Sequence, residues 1–334
     1  MLAEDVVLDP APAPPLPGPR HYDVFSGGAD GLCSLQQLRL FQPLPGLLLT
    51  GPKDDVELLR KVPLARGDSV TVLGIPAAPN RADLDLLLEA GVQVDWFDHH
   101  AWNALPRHPL LHPWMDATPG TCTSVIVDRR IGGRHRPWAV VGAFGEQLDV
   151  LARTLAAAAG RTDAAELQKL RAFGEALEYN ARWALSDADL LVAPGTVYQA
   201  MRRYRDPLRF VDEQPLPRVL LEHRASDLRL ARSLARVEAR PGAAVHRLPD
   251  HGWARRAHES YARELGVQAP LLAHAVLAPA NHAWLVATAA PAQRRAAVRE
   301  LLRRFTGSDG RLDGAQLQAF VDAFLQAFGA QGAA

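Results

Sequence analysis

Residues 94–102 read VDWFDHHAW, and the triplet Asp98-His99-His100 closes a run of strand formers. Two imidazoles and a carboxylate make a poor core, but they are ligand types for a divalent cation held beside a phosphate. A second stretch with chemical content is SGGADG (26–31). Successive glycines in Ser26-Gly27-Gly28 can aim several backbone N–H groups at one anion, and a plain tight turn accounts for them equally well. Asp30 falls at the head of a helical stretch, where a carboxylate either complements the helix dipole or ligates a metal. Cys33 and Cys122 read as small buried apolar groups. His108 and His112, in RHPLLHPW, read as loop residues, with a replacement metal ligand as the minor reading.

The elements that must position these groups follow from periodicity. HYDVF, LLLTG (47–51), SVTVLGI (69–75) and VQVDWFDHH (92–100) are short apolar runs bounded by turn residues, as buried parallel strands are. Helical spacing is expected over 31–41, 54–62 and 80–91, with Asn80 as N-cap and Gly91 as C-cap of the last. TCTSVIVDRRIGG predicts a helix entered through Thr121 or Thr123, and WAVVGAFGEQ predicts another helix or buried segment. Alternation of strand and helix predicts an α/β fold with an open, mostly parallel, doubly wound sheet. Its ligand site lies beyond the C-terminal strand ends, where SGGADG, Gly74-Ile75 and Asp98-His99-His100 all fall.

From 150 to 210 the chain is helical and rich in Ala, Leu and Arg, and DEQPLPR (212–218) marks a boundary. Beyond it, 219–240 reads as one long amphipathic helix. AAVHRL, LLAHAVLA and HAWLVATAA read as strands of a second, smaller α/β domain, with helices over 292–305 and 313–328. The pairs Arg202-Arg203, Arg255-Arg256, Arg294-Arg295 and Arg303-Arg304 read as solvated helical faces, or alternatively as walls of a phosphate-facing cleft.

Composition bounds the function. The 334 residues suffice for two domains with separate cores, and 48% hydrophobic with 22% charged residues is ordinary for a globular protein. Lys+Arg and Asp+Glu both total 37, so no global basic field exists and strong nucleic-acid binding is not expected. Two cysteines are too few for a disulfide framework, which suits a reducing cytoplasm. Residues 1–20 are acidic and proline-rich, reading as a flexible tail and not a signal peptide. No apolar run reaches the ~18 residues of a membrane span.

In order and approximate spacing, SGGADG, LGI, FDHH and VVGAFGE resemble the four motifs of the DHH phosphoesterase superfamily. RecJ-type exonucleases, oligoribonucleases, cyclic-dinucleotide phosphodiesterases and family II pyrophosphatases belong to it. The match is similar to a bacterial DHH group and extends through GEALEYNA (174–181), YRDPLRF (204–210) and FTGSDGR (305–311). The resemblance implies a DHH-like domain over 21–150, a helical connector over 151–215 and an accessory (DHHA1-like) substrate domain over 216–330. It also implies a pair of Mn2+ or Mg2+ ions that clamp the attacking and leaving oxygens.

This chain departs from that pattern. Where the motifs have aspartates it has Gly28 and Gly74, and the fourth motif's Asp is Glu146. The Gly-rich substrate loop is Gly307-Ser308-Asp309-Gly310, and Ala289 stands at the accessory domain's Arg. What the resemblance leaves is at most one Mn2+ or Mg2+ on Asp30, His99 and Glu146, or none, with Asp23 or Asp149 as substitute ligands. Asp98 and His100 keep the catalytic positions, and Ser26, Gly27, Gly28 and His100 the phosphate-binding ones. The expectation is a non-hydrolysing or weakly active homologue that binds a small phosphorylated ligand, a nucleotide or a protein partner in the cleft, with room for a homodimer. The alternative is a metal-dependent phosphodiesterase or phosphatase.

Overall fold

The computed structural model describes residues 18–102, 106–307 and 310–330. Most of the expected tail, and Ser308-Asp309 of the degenerate loop, lie outside the described residues.

The chain begins with β1 (His21–Phe25), α1 (Ala29–Phe41), β2 (Leu47–Leu49), β3 (Ser69–Leu73), α2 (Arg81–Glu89), β4 (Gln93–Asp98) and β5 (Leu111–Met115). These strands form one sheet in the order β2-β1-β3-β4-β5, every pair parallel. Strand order reverses between β1 and β3, and the crevice outside their carboxyl ends is the usual ligand position in such a sheet. Ser26 and Gly74 stand there.

Strand side chains alternate between two cores. Phe25, Leu73 and Phe97 face α1, α3 (Thr123–Arg130) and α4 (Arg136–Gly145). Tyr22, Val24, Val70, Val72, Val94 and Trp96 face α2. The first core continues without a break into α5 (Asp149–Ala158), α6 (Ala164–Ala181), α7 (Pro194–Met201) and α8 (Pro207–Glu213), through Ala152, Phe173, Leu177, Val197 and Phe210. The helical region over 151–215 is thus packed onto α1 and α4, the helices that cover this face of the sheet.

After α9 (Pro215–Leu234) come β6 (Arg236–Arg240), β7 (Ala243–Arg247), α10 (Gly252–Gln268), β8 (Ala273–Ala280), β9 (Ala283–Ala289), α11 (Arg295–Phe305), β10 (Arg311–Asp313) and α12 (Leu317–Phe328). They build a second sheet, β10-β9-β8-β7-β6, in which only β7 and β8 pair in parallel. One face packs on α11 and α12 through Val298, Phe320 and Phe324, the other on α10 through Ala257 and Tyr261.

Several expectations are corrected. The stretch 54–62 forms only a 3-10 turn at Leu59–Lys61, because Pro63 follows it and Asn80 Oδ1 accepts the Leu59 amide at 3.2 Å. Asn80 precedes α2, but its side chain bonds Val56 and Pro76 carbonyls and does not cap the helix. α3 is entered through Cys122, not Thr121 or Thr123. Residues 236–240 leave the helix to form β6. His112 lies on the edge strand β5, with Nδ1 3.1 Å from Asp95 Oδ1. Arg255 and Arg256 are neither solvated nor phosphate-facing: they pair with Asp189, at 2.8 Å, and Asp227, at 2.9 Å, inside the packing.

Candidate functional site

Beyond the β1, β3 and β4 ends lies a cavity of about 300 Å3. Ser26, Asp30, Gly74, His99, His100 and Glu146 line it, as their positions at strand and helix ends require. Lys53, Asp54, Arg182 and Trp183 complete the wall.

Asp98 is the last residue of β4 and is fully buried. Its Oδ1 accepts from His100 Nδ1 at 2.7 Å, while Oδ2 has no partner among the described residues. That hydrogen bond raises the His100 pKa above its usual value, with burial opposing, and engages Nδ1 of the ring. His99 Nδ1 sits 3.0 Å from Thr123 Oγ1 and 3.6 Å from Asp30 Oδ2.

Asp30 has a different occupation from the expected one. Its two oxygens accept the amides of Thr123 at 2.8 Å and Ser124 at 2.7 Å, capping α3 from a neighbouring helix. Burial would raise its pKa, but the His99 ring and these amides overcome it and hold the carboxyl below its usual range.

Glu146 follows α4, and its Oε1 is 2.5 Å from Lys53 Nζ. The same ammonium lies 2.5 Å from Glu178 Oε1 on α6. Burial works against the charged lysine, yet the two carboxylates hold its pKa above the ordinary value. Burial pushes Glu178 up to about 7, with Lys53 opposing.

The glycines are as constrained as the charged groups. A Cβ at Gly27 would lie 2.1 Å from the Gly51 carbonyl oxygen, so this residue is covered by chain. The Ser26 amide donates to Leu73 O at 3.0 Å. Ser26-Gly27-Gly28 is therefore a packed turn; its Ser26 side chain lines the cavity, whereas Gly27 and Gly28 do not. Gly74 has φ +66°, a conformation that disfavours any side chain.

These facts decide how a metal pair would fit. Gly28 and Gly74 offer no oxygen, both Asp30 oxygens serve α3, and Glu146 is held by Lys53. Asp23 is paired with Arg39 and His21 away from this cavity, and Asp149 with Arg171, so neither substitutes. Two of the expected ligand positions thus carry no side-chain oxygen, and the acids at two others are already engaged. Among the described residues, the group whose ligand atoms lie close enough for one ion is Asp98, His99 and His100, within 4.8 Å of one another. It differs from the expected Asp30, His99 and Glu146.

Lys53, Glu178, Arg182 and Trp183 were not found from sequence. GEALEYNA held Glu178 within a recognisable stretch, but nothing local marks Lys53. Trp183 is notable for φ +62°, rare for so bulky a residue, and for an indole Nε1 without a partner among the described residues. Its backbone amide donates to Asp54 Oδ2 at 2.9 Å, and the Arg182 guanidinium lies 5.1 Å from its ring.

No family model matches the sequence, and no curated protein matches it. Solved structures do. A DHH-domain protein described as a member of the s1p family of ribosomal proteins aligns with TM-score 0.56 and 11% identity, over 92% of this chain and 86% of its own. The exonuclease RecJ bound to manganese aligns with TM-score 0.52 and 19% identity, over 92% and 89%. RecJ from Thermus thermophilus in complex with Mn2+ aligns at 0.50 with 20% identity, over 92% of this chain and 51% of that one. The chain has the two-sheet fold of the DHH-domain proteins, with its Asp-His-His triplet at the end of the fourth strand.

Proposed function

We propose that this chain is a non-hydrolysing or weakly active DHH homologue that binds a small phosphorylated ligand, such as a mononucleotide, in the cavity beyond β1 and β3. The observation that carries this reading is the internal satisfaction of the acids: Asp30 by two amides, Glu146 by a lysine. Acids so engaged, with no carboxylate at 28 or 74, make a poor clamp for two cations, and without such a pair the attacking water loses its activation. The cavity itself persists. Its wall carries Asp30, Asp54 and Glu146 against Lys53, Arg182 and two imidazoles, a near balance that admits a small anion and disfavours a polyanion. Trp183 and His100 line this same cavity.

A panel of phosphate, sulfate and mononucleotides is tested by thermal shift and by Mn2+-dependent hydrolysis. The reading expects stabilisation of roughly 2.7 kcal/mol at a hundredfold excess over the dissociation constant, weakened in His100→Ala, and no multiple-turnover hydrolysis. Absence of any shift across the panel rejects it. The Asp98-His99-His100 cluster favours a second reading, a one-metal phosphodiesterase or phosphatase. Turnover of a generic phosphodiester that needs Mn2+ and is lost in His99→Ala would establish that alternative.

A further inference from the structure

We infer that Lys53 is a tethered cation occupying the space between Glu146 and Glu178, where its ammonium takes the place of a divalent ion. The first support is position. The ammonium lies 2.5 Å from an oxygen of each carboxylate, so it gathers one oxygen from the end of α4 and one from α6 as a hard cation would. An ammonium does this with three N–H donors and has no Lewis acidity with which to activate water.

The second support is crowding at residue 28. A Cβ built there meets Glu178 Oε2 at 2.7 Å and Lys53 Cδ at 3.0 Å. The room left by glycine is the room the lysine stem and Glu178 use, so a carboxylate at 28 would press on both and compete with Glu178 for the Lys53 ammonium.

The third support is anchoring. The Lys53 amide donates to Ala181 O at 2.9 Å, and Asp54 accepts the Trp183 amide. Both contacts tie the lysine's backbone to the end of α6, the helix that carries Glu178. The side chain is mostly shielded from solvent, at 23% exposure, and is no wandering surface lysine. An ammonium fixed in this way joins the end of α4 to α6 and needs no ion from solution. It follows that the shape of this wall is insensitive to chelators, whatever ligand the cavity takes.

Mn2+ uptake by the full chain, counted from loss of the free-ion electron paramagnetic resonance signal, tests the inference. Lys53→Ala should bind one more Mn2+ per chain than the unmodified protein, and Lys53→Ala with Glu178→Gln should lose that ion. Lys53→Met, which keeps the stem but not the charge, controls for a packing defect and should remain folded. A folded Lys53→Ala that binds no more Mn2+ than the parent overturns the inference. If neither variant folds, crystals of the unmodified chain soaked in MnCl2 decide. An anomalous peak between Glu146 and Glu178 with Lys53 displaced refutes the inference, and its absence with Lys53 in place supports it.

Discussion

Replacing Asp30 separates a helix cap from a metal ligand. The residue is 4% exposed, and its carboxylate accepts two amides at the start of α3, at 2.8 and 2.7 Å. Hydrogen bonds to a charged group contribute about 1.5–3 kcal/mol each, and single caps measure about 0.5–2 kcal/mol. Asp30→Ala strands both amides in a buried site, so a loss of about 3 kcal/mol is expected in urea unfolding with EDTA present. Asp30→Asn keeps one acceptor oxygen and should cost about half as much on the same scale. The acid limb gives a second check. The folded-state pKa is depressed, so the carboxylate's contribution is complete above its unfolded value and is lost as pH falls through the folded one. The stability gap between the parent and Asp30→Ala should therefore narrow below about pH 4. Should Asp30→Ala in EDTA stay within about 0.5 kcal/mol of the parent yet lose Mn2+ binding, Asp30 is a ligand and the cap assignment fails.

Restoring the missing carboxylates should not restore a metal site by itself. Gly28→Asp with Gly74→Asp is expected to destabilise the fold by about 2 kcal/mol or more, because position 28 is filled by Glu178 and Lys53 and Gly74 has φ +66°. Mn2+ affinity in that variant, measured by calorimetry, should rise only when Lys53→Ala is added. His100 should titrate above the ordinary histidine value by NMR, and Asp98→Asn should bring it down. Its charged form is favoured by folding, so the associated stability is full below about pH 6.5 and lost as pH rises through the folded pKa.

The sheet that carries the site was legible because buried parallel strands are written as short apolar runs ended by turn residues: HYDVF, SVTVL and QVDWFD all fall where expected. β5 was not, because Pro113 in LHPWM reads as loop, yet proline is tolerated on this edge strand. RVEAR has the charge pattern of the preceding helix, and only pairing with β7 makes it a strand. α10, full of Arg, His and Trp, has an apolar face built on alanines that periodicity shows weakly. At the site, strand-end residues were legible, whereas their partners were not. Asp30 meets Thr123 and Ser124, and Lys53 meets Glu146 and Glu178, over separations of some ninety residues or more. No local pattern records such closures.

The proposed function requires that this chain hold no two-metal centre. Anomalous scattering from the unmodified protein, crystallised with excess Mn2+, counts the ions. The account predicts at most one ion per chain, at Asp98, His99 and His100. Two well-occupied ions about 3.5–4 Å apart, with Lys53 swung away from Glu146, would contradict it.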